Sequence, residues 1–447
     1  MKQQIQLSDH FNYRRLIRFI LPSIGMMIFT SIYLVVDGFF VSNFAGKIPF
    51  AAVNLIMPLI NIFATVGFIF GTGGSAIVAK TFGKGDREQA NRYFSLFTYV
   101  SFVLGIVLSV SGIIFIRPIA AALGAEGEML NNACLYARII LLVLPFNILQ
   151  VYFQAFFITA EKPELGFAIT LSSGITNMIL DAVLVILLPQ PYKLAGAAVA
   201  TAMSQVVGGV VPLFYFGRKN SSILQMGKTR FDRKALTKAC VNGSSEFMNN
   251  VAMSLVGMLY NIQLLRYAGE NGVAAYGVMM YVSLIFSAAY VGYSIGSAPI
   301  ISYHDGAQNH DELKSLLLKS LRMIGVFGIM MTISAELLAA PLAKVFVGYD
   351  TELMELTVSG FRIFALSFVF MGFAIFASGF FTALNDGVTS AIISFLRTFI
   401  FQCGAVILLP ILWGIDGIWF SVVAAELIAV VISAILAVTK RKKYHYD

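Results

Sequence analysis

Apolar residues run along this chain in twelve blocks, near residues 16–41, 50–78, 93–116, 133–159, 165–189, 194–217, 239–263, 273–303, 316–340, 357–383, 388–412 and 415–438. Polar residues collect in the short gaps between them. Each block is long enough for the roughly 20 residues that an α-helix needs to cross a bilayer. Barrel strands would be about half that length and would alternate in polarity. The pattern predicts an all-α integral membrane protein of twelve transmembrane helices. The first block follows a polar start, MKQQIQLSDHFNYRRLIR, with no small-residue cleavage site, so it is expected to be a span and not a leader.

Composition agrees. Of 447 residues, 58% are hydrophobic and 12% charged, where a soluble domain carries about a quarter charged residues. A water-facing surface cannot be covered with so few. The net charge of +8 could suggest nucleic acid, but its placement explains it better. Basic residues crowd the N-terminus, the gaps after even-numbered blocks and the C-terminus, from Lys2, Arg14, Arg15 and Arg18 through Lys80, Lys84 and Arg218 to Lys440, Arg441, Lys442 and Lys443. The opposite gaps hold Lys47, Arg117, Lys193, Arg266 and Lys344. The positive-inside rule then predicts a multi-pass protein of the cytoplasmic membrane with both termini in the cytoplasm. The three cysteines, Cys134, Cys240 and Cys403, imply neither a disulfide framework nor a metal site.

The chain reads as two copies of one unit. VILLP occurs at 185–189 and again at 406–410, AGKIPFAAV at 45–53 aligns with AGENGVAAY at 268–276, and GFIFG at 67–71 aligns with GYSIG at 292–296. All fall at nearly one offset. The expected organisation is a six-helix bundle over 1–217, a basic cytoplasmic linker over 218–238, and a second bundle over 239–447. Six is even, so both halves enter from the same side as parallel repeats, an architecture of transporters.

Ionisable side chains at membrane depth are costly and face a cavity or a partner. Asp37, Asp181, Glu246, Glu336 and Glu426 fall inside blocks, and Asp181 is the only charge between Glu164 and Lys193. Counted from the block ends, Asp37, Asp181 and Thr201 all lie about 12 Å from the outer face. Asn177 shares the Asp181 helix face one turn deeper. Two carboxylates, a carboxamide and a hydroxyl gathered in the outer half of the first bundle suit a small hard cation such as Na⁺. Two carboxylates held together away from water also suit a shared proton. Glu246 is the expected cation attractor of the second half, and Glu336 and Glu426 are expected to pair with Arg362 or Arg397. GTGG at 71–74 is expected to serve close helix packing, and Pro22, Pro58, Pro145, Pro212 and Pro299 to allow kinks.

Taken together, LPSIGMMIFTSIYLVVDGFFVSNFAG, GTGGSAIVAKTFGKGDREQAN, EKPELGFAITLSSGITNMILDAVLV and GAAVATAMSQ resemble the multidrug and toxic compound extrusion (MATE) transporters, closest to their bacterial multidrug-exporter and DNA-damage-inducible branches. The resemblance covers nearly the whole chain. It implies a monomeric antiporter that exports amphipathic cations in exchange for Na⁺ or H⁺, with no cofactor beyond the coupling ion. It implies a cation site at Asp37, Asn177, Asp181 and Thr201, a bending role for Pro22 and a second acid at Glu246. The aspartate that one branch carries on helix 10 is missing here. A lipid-linked precursor flippase, an endogenous metabolite exporter and a channel are the competing transport readings. An intramembrane enzyme is disfavoured because all four histidines, at 10, 304, 310 and 445, lie outside the blocks.

Overall fold

The structure, a computed structural model, describes residues 5–348 and 350–446; Lys2 of the basic N-terminus lies outside them. Among the described residues there are helices and no strands. In chain order they are α1 (Tyr13–Phe40), α2 (Lys47–Phe68, carried on through a π turn to Gly83), α3 (Arg87–Ala122), α4 (Gly127–Leu142 with Leu144–Thr159), α5 (Pro163–Leu187) and α6 (Lys193–Gly217). The second half holds α7 (233–268), α8 (270–306), α9 (His310–Val347), α10 (Thr351–Ala365 with Ser367–Ala383), α11 (387–413, with a π turn at Leu396–Phe401) and α12 (415–444). Among the described residues, eight helices are long and apolar enough to cross a membrane, ten when two bent pairs are counted as spans. Left-handed or extended glycines at Gly269 and Gly414 divide two of these, giving twelve.

The blocks at 133–159 and 357–383, read as single helices, are each broken. α4 bends by 58° and α10 by 45° at the equivalent place in the two halves. Pro145 sits just after the α4 break, as expected of a ring that blocks a backbone donor. α10 has no proline. Its freed carbonyls are taken by neighbours: Thr332 Oγ1 donates to Ala365 O at 3.2 Å and Tyr290 Oη to Phe368 O at 2.7 Å. In lipid a broken helix persists only where such partners exist. Pro22 lies inside an α1 that runs unbroken.

The repeat is written in the backbone as well. Left-handed residues pair across the halves at Gly46 and Gly269, Gly85 and Gln308, and Glu161 and Asn385. Beside the middle pair, Asp86 caps the Gln89 N–H and Asn309 caps the Glu312 N–H.

The halves meet at the end that carries the termini. GTGG serves this contact: a Cβ at Gly73 would stand 2.4 Å from Ala239 O, and one at Gly243 would stand 2.3 Å from Ile69 O. α2 and α7 therefore touch backbone to backbone, the approach small residues permit. Asn242 Nδ2 bridges the seam to Gly73 O at 3.3 Å and Lys80 pairs with Asp305 at 2.5 Å. Over this seam residues 5–12 form a strap. Leu7 N–H donates to Glu161 Oε1 of the first half at 2.7 Å. Phe11 N–H donates to Glu312 Oε1 of the second half at 2.8 Å, His10 Nδ1 meets Glu312 Oε2 at 2.5 Å, and Lys319 Nζ donates to Phe11 O. His304 is buried edge-on against Phe11, and that burial pushes its imidazole below the usual range.

Two predictions follow from this end. Gly243→Val drives a branched side chain into the Ile69 carbonyl and is expected to cost roughly 1–3 kcal/mol, seen as a lower unfolding temperature in detergent. Glu312→Ala removes the partner of the Phe11 N–H and of His10 Nδ1 and is expected to cost about 1–3 kcal/mol. A cysteine pair placed across the strap and α9 would then crosslink more slowly.

Candidate functional site

The first bundle brings its buried polar groups to one place. Asn177 and Asp181 share a face of α5, and both are fully buried. Gly174, one turn before Asn177, lets α1 approach: a Cβ there would stand 2.4 Å from the Phe29 ring. Asp37 on α1, 5% exposed, thereby comes against α5 and α6. Thr201 Oγ1 of α6 donates to Asp37 Oδ1 at 3.0 Å and accepts from Asn177 Nδ2 at 3.4 Å. The chain runs Asn177 to Thr201 to Asp37, with both hydrogen bonds directed toward the Asp37 carboxylate.

Asp181 is left out of that chain. Its carboxyl lies beside that of Asp37, yet neither of its oxygens, nor Asn177 Oδ1, receives a hydrogen bond among the described residues. Buried polar atoms are nearly always paired, and two adjacent carboxylates in low dielectric need positive charge between them. Three bare oxygens beside a fourth carboxylate oxygen form a donor set for a hard cation, or a seat for a proton shared between the acids. The Tyr136 hydroxyl, fully buried and without a partner among the described residues, lies close to Asp37 and Thr201. Tyr33 stands between Asp37 and Gln150. The adjoining cavity is about 190 Å³ and opens on Asp37, Asn177 and Thr201. It has room for an ion and a few waters but not for a drug-sized molecule, which needs roughly 300 Å³ or more.

The second bundle is built differently. At the 221-residue offset of VILLP, Asp181 corresponds to Gln402, and at the 223-residue offset of AGKIPF and AGENGV, Asp37 corresponds to Tyr260. Where Thr201 meets Asp37 in the first half, Ser421 meets the Tyr260 hydroxyl at 2.6 Å in the second. Here the cavity is about 800 Å³, and Glu246, Tyr260, Tyr276, Arg397 and Glu426 line it. Glu246 is half-buried, and its carboxylate makes no hydrogen bond or ion pair among the described residues. Arg397 grips Glu426 through Nε at 3.0 and 2.9 Å and Nη2 at 2.8 Å. Arg362 approaches Glu336 at 3.8 Å. The expected pairings are thus both present, but the first is a buried fork and the second a loose, exposed contact.

The family model MatE matches residues 22–183 and 247–405 of this chain. This protein belongs to the MatE family. A curated relative, the "Multidrug export protein MepA" of Staphylococcus haemolyticus (strain JCSC1435), is 26% identical over 442 residues, covering 97% of this chain and 95% of its own. A solved structure described as the outward-facing conformation of a multidrug resistance MATE family transporter of the MOP superfamily superposes with a TM-score of 0.93. It shares 20% identity and is matched over 100% of this chain and 99% of that one. A MATE crystal structure in complex with MaL6 gives the same TM-score at 20% identity, with both chains fully covered.

In this MatE protein the four residues named from depth, Asp37, Asn177, Asp181 and Thr201, are neighbours. Glu246 stands apart from them, in the larger cavity of the second half. Tyr33 and Tyr136 were missed by sequence reasoning. Tyr33 lies four residues before Asp37 on α1, a spacing that marks a shared helix face, whereas nothing among the 18 tyrosines marks Tyr136, which only the placement of α4 against α6 reveals.

Proposed function

We propose that this chain is a secondary active exporter of amphipathic, cationic small molecules, driven by Na⁺ or H⁺ entering the cell. Both termini and the strap then lie in the cytoplasm, in keeping with the crowding of Lys and Arg at that end, and the protein works as a monomer in the cytoplasmic membrane. The relatives' description as multidrug export proteins supports the cargo class. The observation that carries the coupling is the pair Asp37 and Asp181, buried side by side with the Asp181 oxygens lacking donors. Such a site is incomplete without a cation.

The cycle follows from the two cavities. With the strap end closed, the ion reaches Asp37 through the small cavity and draws the Asp37 and Asp181 carboxylates together, tightening α1 against α5 and α6. That tightening competes with the seating of cargo in the large cavity, which is lined from α7, α8 and α11. When the halves rock open at the strap end, the ion leaves and cargo enters, its positive charge attracted by Glu246. Binding of either partner alters the affinity for the other, as coupled sites must.

Ethidium efflux from proteoliposomes under an imposed Na⁺ gradient, or separately an H⁺ gradient, tests this. Efflux driven by one gradient and collapsed by the matching ionophore is the expected result. Ethidium leak indifferent to both gradients would overturn it.

A further inference from the structure

The large cavity of the second bundle holds an arginine that the export of simple cations does not call for. Arg397 lies in the π turn Leu396–Phe401 of α11. Such turns rotate a helix locally, re-aim side chains and recur at functional sites. Next to it Thr398 is fixed by a 2.9 Å bond to Asn249 Oδ1 of α7, so the turn is braced from across the cavity. The fork onto Glu426 uses Nε and Nη2. Nη1, with two N–H groups, donates to nothing among the described residues, and Arg397 is itself part of the cavity wall. Glu426, on the same wall, is fully buried, while the Arg397 side chain keeps 14% exposure. The arginine is the accessible member of the pair.

We propose that Arg397 is a specificity-determining residue and that the second-bundle cavity takes amphoteric cargo. The positive group lies toward Glu246, and a carboxylate or strongly polarised carbonyl accepts from Arg397 Nη1. This deepens the export reading above and rests on it. Charge balance favours the arrangement. Glu426 neutralises Arg397, so a simple cation meets only the Glu246 charge. A zwitterion satisfies Glu246 and the spare guanidinium donors together and leaves the cavity neutral. The guanidinium is planar and weakly hydrated, which suits it to a carboxylate in a partly dry pocket. A volume of about 800 Å³ holds a multi-ring molecule with its charges at opposite ends.

The test uses two probes that differ only at the acid: tetramethylrhodamine, with a cationic ring system and a free carboxylate, and its ethyl ester, which keeps the cation alone. Binding to the purified full chain in detergent is read by fluorescence anisotropy. The variant is Arg397→Met with Glu426→Met, which removes both charges together and keeps the volume. The double variant is expected to bind the carboxylate dye about tenfold or more weakly and the ester within about threefold of wild type. Glu246→Gln is expected to weaken both dyes. Equal weakening of both dyes in the double variant would reduce Arg397 to a structural role. A wild type that binds the ester but not the carboxylate dye would also overturn the proposal, as would one that binds neither. Anisotropy needs no gradient. Selective binding without gradient-driven efflux would therefore count against the export reading alone, and driven efflux without selectivity would count against Arg397 alone.

Discussion

Asp181→Asn is expected to abolish gradient-driven efflux, at least about a hundredfold below wild type, in a protein that folds as well as wild type or better. The bare Asp181 carboxylate has no donor among the described residues and lies beside a second acid. Asparagine there places an N–H facing Asp37, so the site completes itself without an ion. A site already complete has no differential affinity to offer the ion, and an ion can shift a conformational equilibrium only by such a difference. Stability should move the other way, up by roughly 1 kcal/mol, because two adjacent acids become one acid and one donor. Asp37→Asn should also lose driven efflux, but without the gain in stability, since Asp37 already has the Thr201 bond. The measurement is dye efflux under the effective gradient alongside unfolding temperature in detergent. An Asp181→Asn protein that still exports at near the wild-type rate would place the coupling site elsewhere, with Glu246 the next residue to examine.

The second large effect is expected at Arg397. Removing it alone, as Arg397→Met, leaves Glu426 fully buried and facing no cation. Breaking a buried pair from one side costs roughly 3–5 kcal/mol, whereas replacing both members by apolar groups of similar volume is often neutral. The single variant should therefore unfold at a much lower temperature or fail to accumulate in the membrane, and Glu426→Met added to it should restore most of the loss. A single variant as stable as wild type would mean that water reaches Glu426.

The span pattern and the site were legible in the sequence for physical reasons. Lipid admits few charges, so Asp181 stands out inside NMILDAVLVILLP. Helical rise converts residue counts into depth, which was enough to place Asp37, Asp181 and Thr201 at one level, with Asn177 one turn deeper on the Asp181 face. The α4 break was marked only by Pro145, and the α10 break was not legible, because hydropathy averages over a bend. The α10 break has no proline to announce it and depends on Thr332 and Tyr290 from other helices. The pairing of Glu426 with Arg397 could be guessed from charge, but its position in a cavity wall depends on the rotation imposed by a π turn, which no local sequence feature marks. The strap was invisible for a related reason: residues 5–12 are polar and irregular, and their partners Glu161 and Glu312 lie more than a hundred residues away.

That strap has a practical consequence for handling the protein. In the alternating cycle proposed here, residues 5–12 must leave their seat on Glu161 or Glu312 whenever the halves part. An affinity handle or fluorescent fusion joined ahead of them hangs from the moving piece and biases which state is purified. The opposite terminus is seated within one half only, with Tyr444 on Asp386 and Tyr446 on Ala437. A handle there rides along with the second bundle and leaves the balance of states undisturbed.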